Sequence, residues 1–399
     1  MTGMKSLQGL TYEIDDLDEA IKELESQIDK SQLLKNTAAI VFCDYETDVP
    51  ILIEKLNETF DFPFIGCTGL GLLSSDGFSQ SSISITVLTA DDCSFEIGIT
   101  EDIQTNDQLE LVGKKYKELS ERAGNSGGMI FAYAPWWDNI LISDVVTILD
   151  NASGGVPVFG GIASDAWTFD KYCVFSNEKA SGNSVVMMLV YGNIRPVFTI
   201  EHSTTGLTNS HKVVTKSKDT KVYTLNDEPA IAYLEEAGIF NEKTDVFLDY
   251  LATPFISTMF KPDDDDEIDI LRALVSINHD VGACDFLGSV EEGSELNMVL
   301  ISKKDIEGSV KKAFDDIFEM IEKTEDYKYS TILCSSCGAR YSLIVSDKNT
   351  EGKAYINRLP EGINVQGFYS YGEYCPAKGK RHGKLYNALS NESLAIVAF

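Results

Sequence analysis

The feature that most constrains the fold is a pattern of segments that occurs three times along the chain. Each copy has an apolar strand, a helical stretch, a second apolar run that ends at a glycine turn, and a further apolar strand. The aligned glycines are Gly66, Gly160 and Gly367. Similar units repeated along a chain indicate a fold assembled from one supersecondary structure. We therefore predict an α/β (α+β) protein of two packed halves, with helices covering mixed β-sheets and the glycine turns converging on one cleft.

The segments of the three units match in order and in length. The predicted first strands are 38–43, 128–133 and 331–335, the helices are 49–60, 141–152 and 351–359, and the closing strands are 83–89, 185–191 and 393–399. Before the first unit, residues 15–34 have leucine and isoleucine at helical spacing, which predicts an amphipathic helix in an N-terminal region of residues 1–36. A turn at 226–229 opens another helix, so we expect one domain over 37–225 and a second over 226–399.

Composition and charge restrict the classes of partner. The formal charge is -30, which disfavours nucleic acid and anionic membrane surfaces because both attract basic proteins. No basic and apolar leader and no long apolar run is present, so we expect neither export nor a membrane span. The eight cysteines then read as reduced thiols, and we expect a cytoplasmic protein.

Two adjacent tryptophans, Trp136 and Trp137, follow the first strand of the second unit. Neighbouring residues of an extended chain point in opposite directions, so both side chains cannot enter one core. Either one of them lines a pocket or both pack around a turn, and the sequence leaves the two alternatives open.

The chain resembles the FIST (F-box and intracellular signal transduction) family over most of its length. The N-terminal motif corresponds to Ile65–Thr68 with Gly71, and then to Val158–Gly161 with Asp165. The C-terminal motif corresponds to Ser336–Arg340, Gly367–Glu373 and Asn387, and residues 212–230 resemble the passage between the two domains. Leu72 stands where the family often has an acid, which removes one expected carboxylate.

This resemblance implies a cytoplasmic sensory domain that binds a small ligand, with amino acids or related metabolites as the proposed class. Relatives are often fused to output domains. Since none is attached here, we expect any signal to pass to a separate output protein. Some relatives are haem proteins that sense nitric oxide, which supplies an alternative function.

An amino-acid ligand needs a cation for its carboxylate and acceptors for its ammonium group. Arg340 offers a planar fork for the carboxylate, and Asp165 and Glu373 offer acceptors. Alternatively, Arg340 forms an internal ion pair with Glu373. The full predicted set comprises backbone and side-chain groups of the glycine motifs: Gly66, Cys67, Thr68, Gly160, Gly161, Asp165, Cys337, Arg340, Tyr369, Tyr371, Gly372 and Glu373.

Two further functions compete with ligand binding without turnover. Haem b needs only one axial imidazole, for which we name His202 or His382, although we expect no cofactor. A thiol enzyme would use Cys67 or Cys337, and Arg340 close to Cys337 in the sequence can lower the pKa of that thiol. Phosphate-loop, serine-hydrolase and zinc-protease motifs are absent from the sequence, and a single C-x-x-C pair, Cys334 and Cys337, does not complete a metal site. We therefore predict a non-catalytic small-ligand sensor.

Overall fold

The computed structural model describes residues 3–124, 127–202, 204–206, 211–238, 253–360 and 362–399. Within these ranges the protein has eight α-helices and 27 β-strands arranged in four sheets, which confirms the mixed α/β fold. None of the helices in these ranges is long and apolar enough to cross a membrane.

The elements follow the chain in this order. The helices are α1 (Leu17–Gln27), α2 (Val49–Thr59), α3 (Glu110–Ala123), α4 (Ser143–Ser153), α5 (Ala230–Glu236), α6 (Lys303–Glu322), α7 (Gly338–Leu343) and α8 (Thr350–Ile356). The strands up to residue 192 are β1 (Lys5–Thr11), β2 (Asn36–Asp44), β3 (Phe64–Gly69), β4 (Leu72–Ser74), β5 (Gly77–Ser79), β6 (Ile83–Ala90), β7 (Cys93–Ile99), β8 (Met129–Ala134), β9 (Val158–Ile162), β10 (Val174–Ser176), β11 (Ala180–Ser181) and β12 (Val186–Gly192). The later strands are β13 (Val197–Glu201), β14 (Thr205–Gly206), β15 (Lys212–Lys218), β16 (Lys221–Leu225), β17 (Glu228–Pro229), β18 (Phe255–Lys261), β19 (Asp266–Arg272), β20 (Leu274–Asn278), β21 (Ala283–Phe286), β22 (Glu295–Leu300), β23 (Thr331–Cys337), β24 (Asn364–Ser370), β25 (Glu373–Lys378), β26 (Leu385–Ser390) and β27 (Leu394–Ala398).

Three parallel strand pairs form the framework of the protein. They are β2 with β3, β8 with β9, and β23 with β24, and each pair is connected through a helical segment. At the start of α2 the Asp48 side chain caps the helix by accepting a hydrogen bond from the amide of Ile51. The first strands of the three pairs, and the helices that connect each pair, lie where the sequence predicted them. That the three units are loose repeats of one supersecondary structure stays a prediction.

The aligned glycines lie inside strands β3, β9 and β24 and not at turns, so their predicted position was wrong. Each glycine packs against the backbone of the strand parallel to it: Gly66 against the carbonyl of Val41, Gly160 against that of Ala132, and Gly367 against that of Cys334. A Cβ atom at any of the three would come closer than 3.0 Å to that carbonyl oxygen. The glycines are therefore required by a close approach of two backbones.

A β-hairpin follows each parallel pair and joins a neighbouring sheet. Hairpin β4–β5 follows β3 but pairs with β24, and hairpin β10–β11 follows β9 but pairs with β3. Hairpin β25–β26 follows β24 but pairs with β9. The resulting first, second and third sheets have the orders β1-β6-β2-β3-β10-β11, β26-β25-β9-β8-β12-β7 and β13-β27-β23-β24-β4-β5. The three pairs are thus linked in a cycle.

The core lies where the three sheets face one another. The rings of Phe42 in β2, Tyr133 in β8 and Phe368 in β24 meet there, with centroids 5.5 Å apart for Phe42 and Tyr133 and 4.6 Å apart for Phe42 and Phe368. All three side chains are at most 1% exposed. Each sheet contributes one large ring, so the packing fixes the sheets relative to one another.

A fourth sheet, here called the curved sheet, has the order β19-β18-β22-β15-β16-β21-β20. Two short strands extend it: β14 pairs with β22, and β17 pairs with β16. Its two end strands, β19 and β20, are separated in the chain by Ala273 alone, so the sheet curls until its ends meet. It is held to the second sheet by hydrogen bonds, including Leu271 N–H to Ser390 Oγ at 3.1 Å and the Arg272 guanidinium to the Leu389 carbonyl at 2.7 Å.

The N-terminal region differs from the prediction in one respect. The expected helix exists as α1, and its residues Leu17, Ile21 and Leu24 are buried as their spacing predicted. However, β1 precedes it and pairs with β6 along its whole length, so residues 1–36 contain more than a helix. The sequence of β1 has only two hydrophobic residues, Leu7 and Leu10. Because they are three positions apart, the alternation of apolar and polar residues that indicates a strand is missing.

Replacing Gly367 by alanine tests the close approach between the parallel strands. We expect Gly367→Ala to lower the free energy of unfolding by about 3 kcal/mol, because the new methyl group meets a backbone carbonyl that cannot move away. Urea denaturation followed by circular dichroism measures the change. As a control, Gly182→Ala places its methyl group no closer than 3.7 Å to any heavy atom and should change the value by less than about 0.5 kcal/mol. Equal effects of the two substitutions would contradict this account.

Candidate functional site

A cavity of about 180 Å³ that opens to solvent on one side lies at the carboxyl ends of two parallel strand pairs, β8 with β9 and β23 with β24. Loops at the carboxyl ends of strands commonly form the ligand sites of such sheets. The curved sheet closes the opposite side. The lining residues are mostly aromatic or apolar: Trp136, Asp138, Trp167, Phe169, Ala273, Val275, Leu287, Cys337, Ala339 and Tyr371.

The three parallel pairs converge beside this cavity through Ser164. Its hydroxyl accepts a hydrogen bond from the Leu70 amide at 2.9 Å and donates one to the carbonyl of Tyr369. The amide of Ser164 donates to the Thr68 carbonyl at 3.1 Å. One fully buried serine therefore connects the carboxyl ends of β3, β9 and β24.

Four aromatic side chains form the main wall of the cavity. The ring of Tyr371 lies 4.9 Å from those of Trp167 and Phe169 and 6.0 Å from that of Trp136, measured between centroids. Trp137 is 9% exposed and packs in the core beneath the second sheet. Trp136 therefore lines this cavity, and Trp137 borders a wider groove outside it.

Asp165 holds the loop that carries two of these rings. Its carboxylate accepts hydrogen bonds from the backbone amides of residues 168–171, at 2.9 to 3.1 Å, and from the Tyr371 hydroxyl at 2.5 Å. Trp167 and Phe169 have φ of +65° and +56°, a conformation that costs about 1–3 kcal/mol at each non-glycine residue. Burial raises the pKa of Asp165, but these hydrogen bonds outweigh it and keep the pKa below its ordinary value. Asp165 therefore shapes the cavity from behind and does not line it.

Arg340 belongs to a separate buried network. Its guanidinium lies 2.9 Å from the Glu351 carboxylate and donates to Ser336 Oγ at 3.1 Å. The same carboxylate accepts hydrogen bonds from the hydroxyls of Tyr355 and Tyr369, each at 2.9 Å. The ion pair of Arg340 is thus with Glu351 and not with Glu373, and neither Arg340 nor Tyr369 lines the cavity. Sequence reasoning missed Glu351 because an acid in a helical segment gives no sign of being buried.

Glu373 and Glu392 are two fully buried carboxyl groups of a different kind. Glu373 accepts hydrogen bonds from the hydroxyls of Ser370 and Ser393, both at 2.7 Å, and burial raises its pKa to about 8. Glu392, between β26 and β27, has no hydrogen-bond partner for either carboxyl oxygen among the described residues. Burial, with a contribution from Glu373, raises its pKa well above the ordinary value. Both groups therefore hold their proton to a higher pH than an exposed glutamate does.

Cys337 connects these carboxyl groups with the cavity. Its sulfur accepts hydrogen bonds from the backbone amides of Ala339 and Glu392, and it is 3% exposed. Burial, and then Glu373 and Glu392, raise its pKa well above the ordinary value. The expectation that Arg340 lowers this pKa was wrong, because the charge of Arg340 is taken up by Glu351. Burial likewise raises the pKa of Cys67, and all eight cysteines are free thiols.

The remaining predicted residues lie in the sheets around the cavity. Gly66, Cys67 and Thr68 are interior to β3, where Thr68 Oγ1 accepts a hydrogen bond from the Cys173 amide at 3.0 Å. Gly160 and Gly161 are interior to β9, and the carbonyl of Gly372 accepts a hydrogen bond from the Ile162 amide at 2.9 Å. Of the twelve predicted site residues, Cys337 and Tyr371 line the cavity, and the others support its walls or lie farther away.

The haem ligands named from the sequence are also outside the cavity. Burial lowers the pKa of His202 to about 4, whereas His382 is exposed. A cavity of about 150 Å³ holds benzene, and pockets for larger organic ligands measure about 300–1,000 Å³. The cavity at the aromatic wall therefore fits a single ring and does not fit haem.

The buried carboxyl groups predict how stability changes with pH. A carboxyl group that keeps its proton in the folded state, but loses it in the unfolded state near pH 4.5, stabilises the protein less as the pH rises. Above about pH 5.5, and as long as the group keeps its proton in the folded state, each such group lowers the free energy of unfolding by about 1.4 kcal/mol per pH unit. We expect Glu392→Gln to remove one of the two contributions, so that its slope is less negative than that of the wild type by about this amount. Urea denaturation across the pH range measures both slopes.

Glu351→Gln provides the matched control for this experiment. It removes the charge that pairs with buried Arg340, so we expect the free energy of unfolding to fall by about 3–5 kcal/mol at each pH. The pH slope should stay that of the wild type. If Glu392→Gln and the wild type have the same slope, Glu392 does not keep its proton in the folded state and this account of it is wrong.

Family models match most of the chain. The FIST N domain matches residues 37–228, and the FIST C domain matches residues 232–376. No curated protein matches the chain. The aromatic wall residues up to Phe169 fall in the first match, and the lining residues from Ala273 to Tyr371 fall in the second. The chain belongs to the FIST family, whose domains are sensory domains of signal transduction.

Proposed function

We propose that this protein senses a small molecule, an amino acid or a related metabolite, by binding a ring-sized apolar part of it in the aromatic cavity. The observation that carries the proposal is the cavity itself, which is concave and mostly apolar and has walls from both matched domains. Concave, mostly apolar pockets with few polar groups are typical of small-molecule sites. The strained conformation of Trp167 and Phe169 supports a functional role for this wall, since such strain concentrates at ligand sites.

Binding would be coupled to signalling through the position of the two domains. A ligand that contacts Trp136 and Phe169 on one side and Val275 and Leu287 on the other favours the arrangement in which both sides reach it. The change would pass to a separate output protein. The eight free thiols of this protein support a cytoplasmic location for it, because disulfides are rare there.

Binding without turnover is favoured by the state of the reactive groups. Tyr371 is hydrogen-bonded to Asp165, Arg340 to Glu351, and the pKa of Cys337 is raised. A nucleophile needs a lowered pKa or an adjacent base. Burial, and then Glu373 and Glu392, instead raise the pKa of Cys337. The haem alternative has no supporting feature at this cavity. A visible absorption spectrum of protein produced with added haem tests it directly.

A substitution that fills the cavity tests the proposed site. In Ala273→Leu an isobutyl group replaces a methyl group on the cavity wall, so a ligand ring loses its space. We first expect a panel of amino acids and related metabolites to contain compounds that raise the melting temperature of the wild type, because ligands that bind the native state stabilise it. Ala273→Leu should abolish that increase while its own melting temperature stays within a few degrees.

The control is Ala123→Leu, at the last residue of α3 and outside the cavity wall, which should keep the full response. If ligands stabilise the wild type and Ala273→Leu equally, the site lies elsewhere. If no compound with a ring or a branched apolar group stabilises the wild type, the proposed function fails.

A further inference from the structure

We infer that the cavity selects an organic cation, a protonated amine attached to one aromatic ring and lacking a carboxylate. This inference rests on the proposed function and narrows its ligand class. It follows from the charges that border the cavity: Asp138 is the one charged residue among the described residues that line it.

Asp138 is fixed at the mouth of the cavity beside the aromatic wall. It lies in the loop between β8 and α4, is exposed, and accepts a hydrogen bond from Nε1 of Trp136 at 2.9 Å. That bond keeps its carboxylate next to the indole ring, which is itself 5.1 Å from the ring of Phe169. A cation held by a carboxylate and adjacent aromatic rings gains both ion pairing and cation–π attraction.

A ligand carboxylate finds no matching cation on the walls. Arg340, the residue expected to bind it, is paired with Glu351 and 1% exposed. Arg272, next to Ala273 on the wall, donates hydrogen bonds to the carbonyls of Leu271, Ser289 and Leu389. An unpaired charge transferred from water to such surroundings is strongly disfavoured, because nothing there replaces its hydration.

Charges farther from the cavity act in the same direction. The whole chain has a formal charge of -30, which attracts cations and repels anions. A wider groove outside the mouth contains Lys218 and Lys221, and Lys221 is paired with Asp285 at 3.2 Å. A carboxylate would have to leave the cavity to reach Lys218.

Isothermal titration calorimetry of the full chain at pH 7 tests the inference with three probes that share a phenylethyl group. They are 2-phenylethylamine, a cation; 2-phenylethanol, which is neutral; and phenylalanine, which adds a carboxylate to the amine. We expect the amine to bind at least about tenfold more tightly than either of the other probes. A difference of this size corresponds to a modest contribution of cation–π attraction and ion pairing to the binding of the amine.

Asp138→Asn removes the charge but keeps an oxygen that can accept the hydrogen bond from Trp136. It should weaken binding of 2-phenylethylamine about tenfold and leave that of 2-phenylethanol unchanged. Asp107→Asn, an exposed acid outside the cavity, should leave both unchanged.

The possible results separate the two proposals. If 2-phenylethanol binds as tightly as the amine, or Asp138→Asn has no effect on the amine, the cation preference is wrong while the ring site stands. If phenylalanine binds as tightly as the amine and Lys218→Gln weakens it alone, the ligand class is an amino acid that reaches the outer groove. If none of the three probes binds to the wild type, the ring-sized site and the inference fail together.

Discussion

The architecture depends on a contact between two backbones that is made three times. In each parallel pair a glycine allows the second strand to approach a carbonyl group of the first more closely than any side chain permits. With the strands so close, the segments at their carboxyl ends lie near one another, and Ser164 connects the three strand pairs there by hydrogen bonds. The hairpin that follows each pair then joins a neighbouring sheet. The space left beside this junction is the aromatic cavity.

The interior around the cavity contains acids in three different states. Asp165 is ionised and satisfied by backbone amides and a phenol, and Glu351 is paired with a buried guanidinium. Burial raises the pKa values of Glu373 and Glu392, so both keep their protons to a higher pH than exposed glutamates do. Burying an ionised group is costly unless it is paired or hydrogen-bonded. Asp165 and Glu351 meet that condition, whereas the raised pKa values of Glu373 and Glu392 favour their neutral forms. The polar groups are therefore used mainly to hold loops and strands, and the cavity itself is left apolar.

The sequence predicted the framework better than it predicted the site. Apolar runs and glycines reveal the parallel pairs because strand and helix periodicities are local, and the family motifs locate the same segments. The site residues Tyr371 and Cys337 were found because they belong to those motifs, and Trp136 because a tryptophan pair is unusual. Trp167 and Phe169 were missed since their φ values are imposed by Asp165, which no local pattern shows. Ala273, Val275 and Leu287 come from the curved sheet, and only its packing on the second sheet brings them to the cavity.

The exchange of hairpins also bears on how the chain reaches its native state. The second sheet ends with β25 and β26 from the last part of the chain, and the third contains β4, β5 and β13 from the first part. Neither sheet can be completed before nearly all of the chain has been synthesised, and pairings between such distant segments form slowly. Until then β9 and β4 have unpaired edges that can associate with other chains. Newly made protein should therefore pass through an interval of vulnerability to aggregation, and the two domains are not expected to be separable by cutting the chain between them.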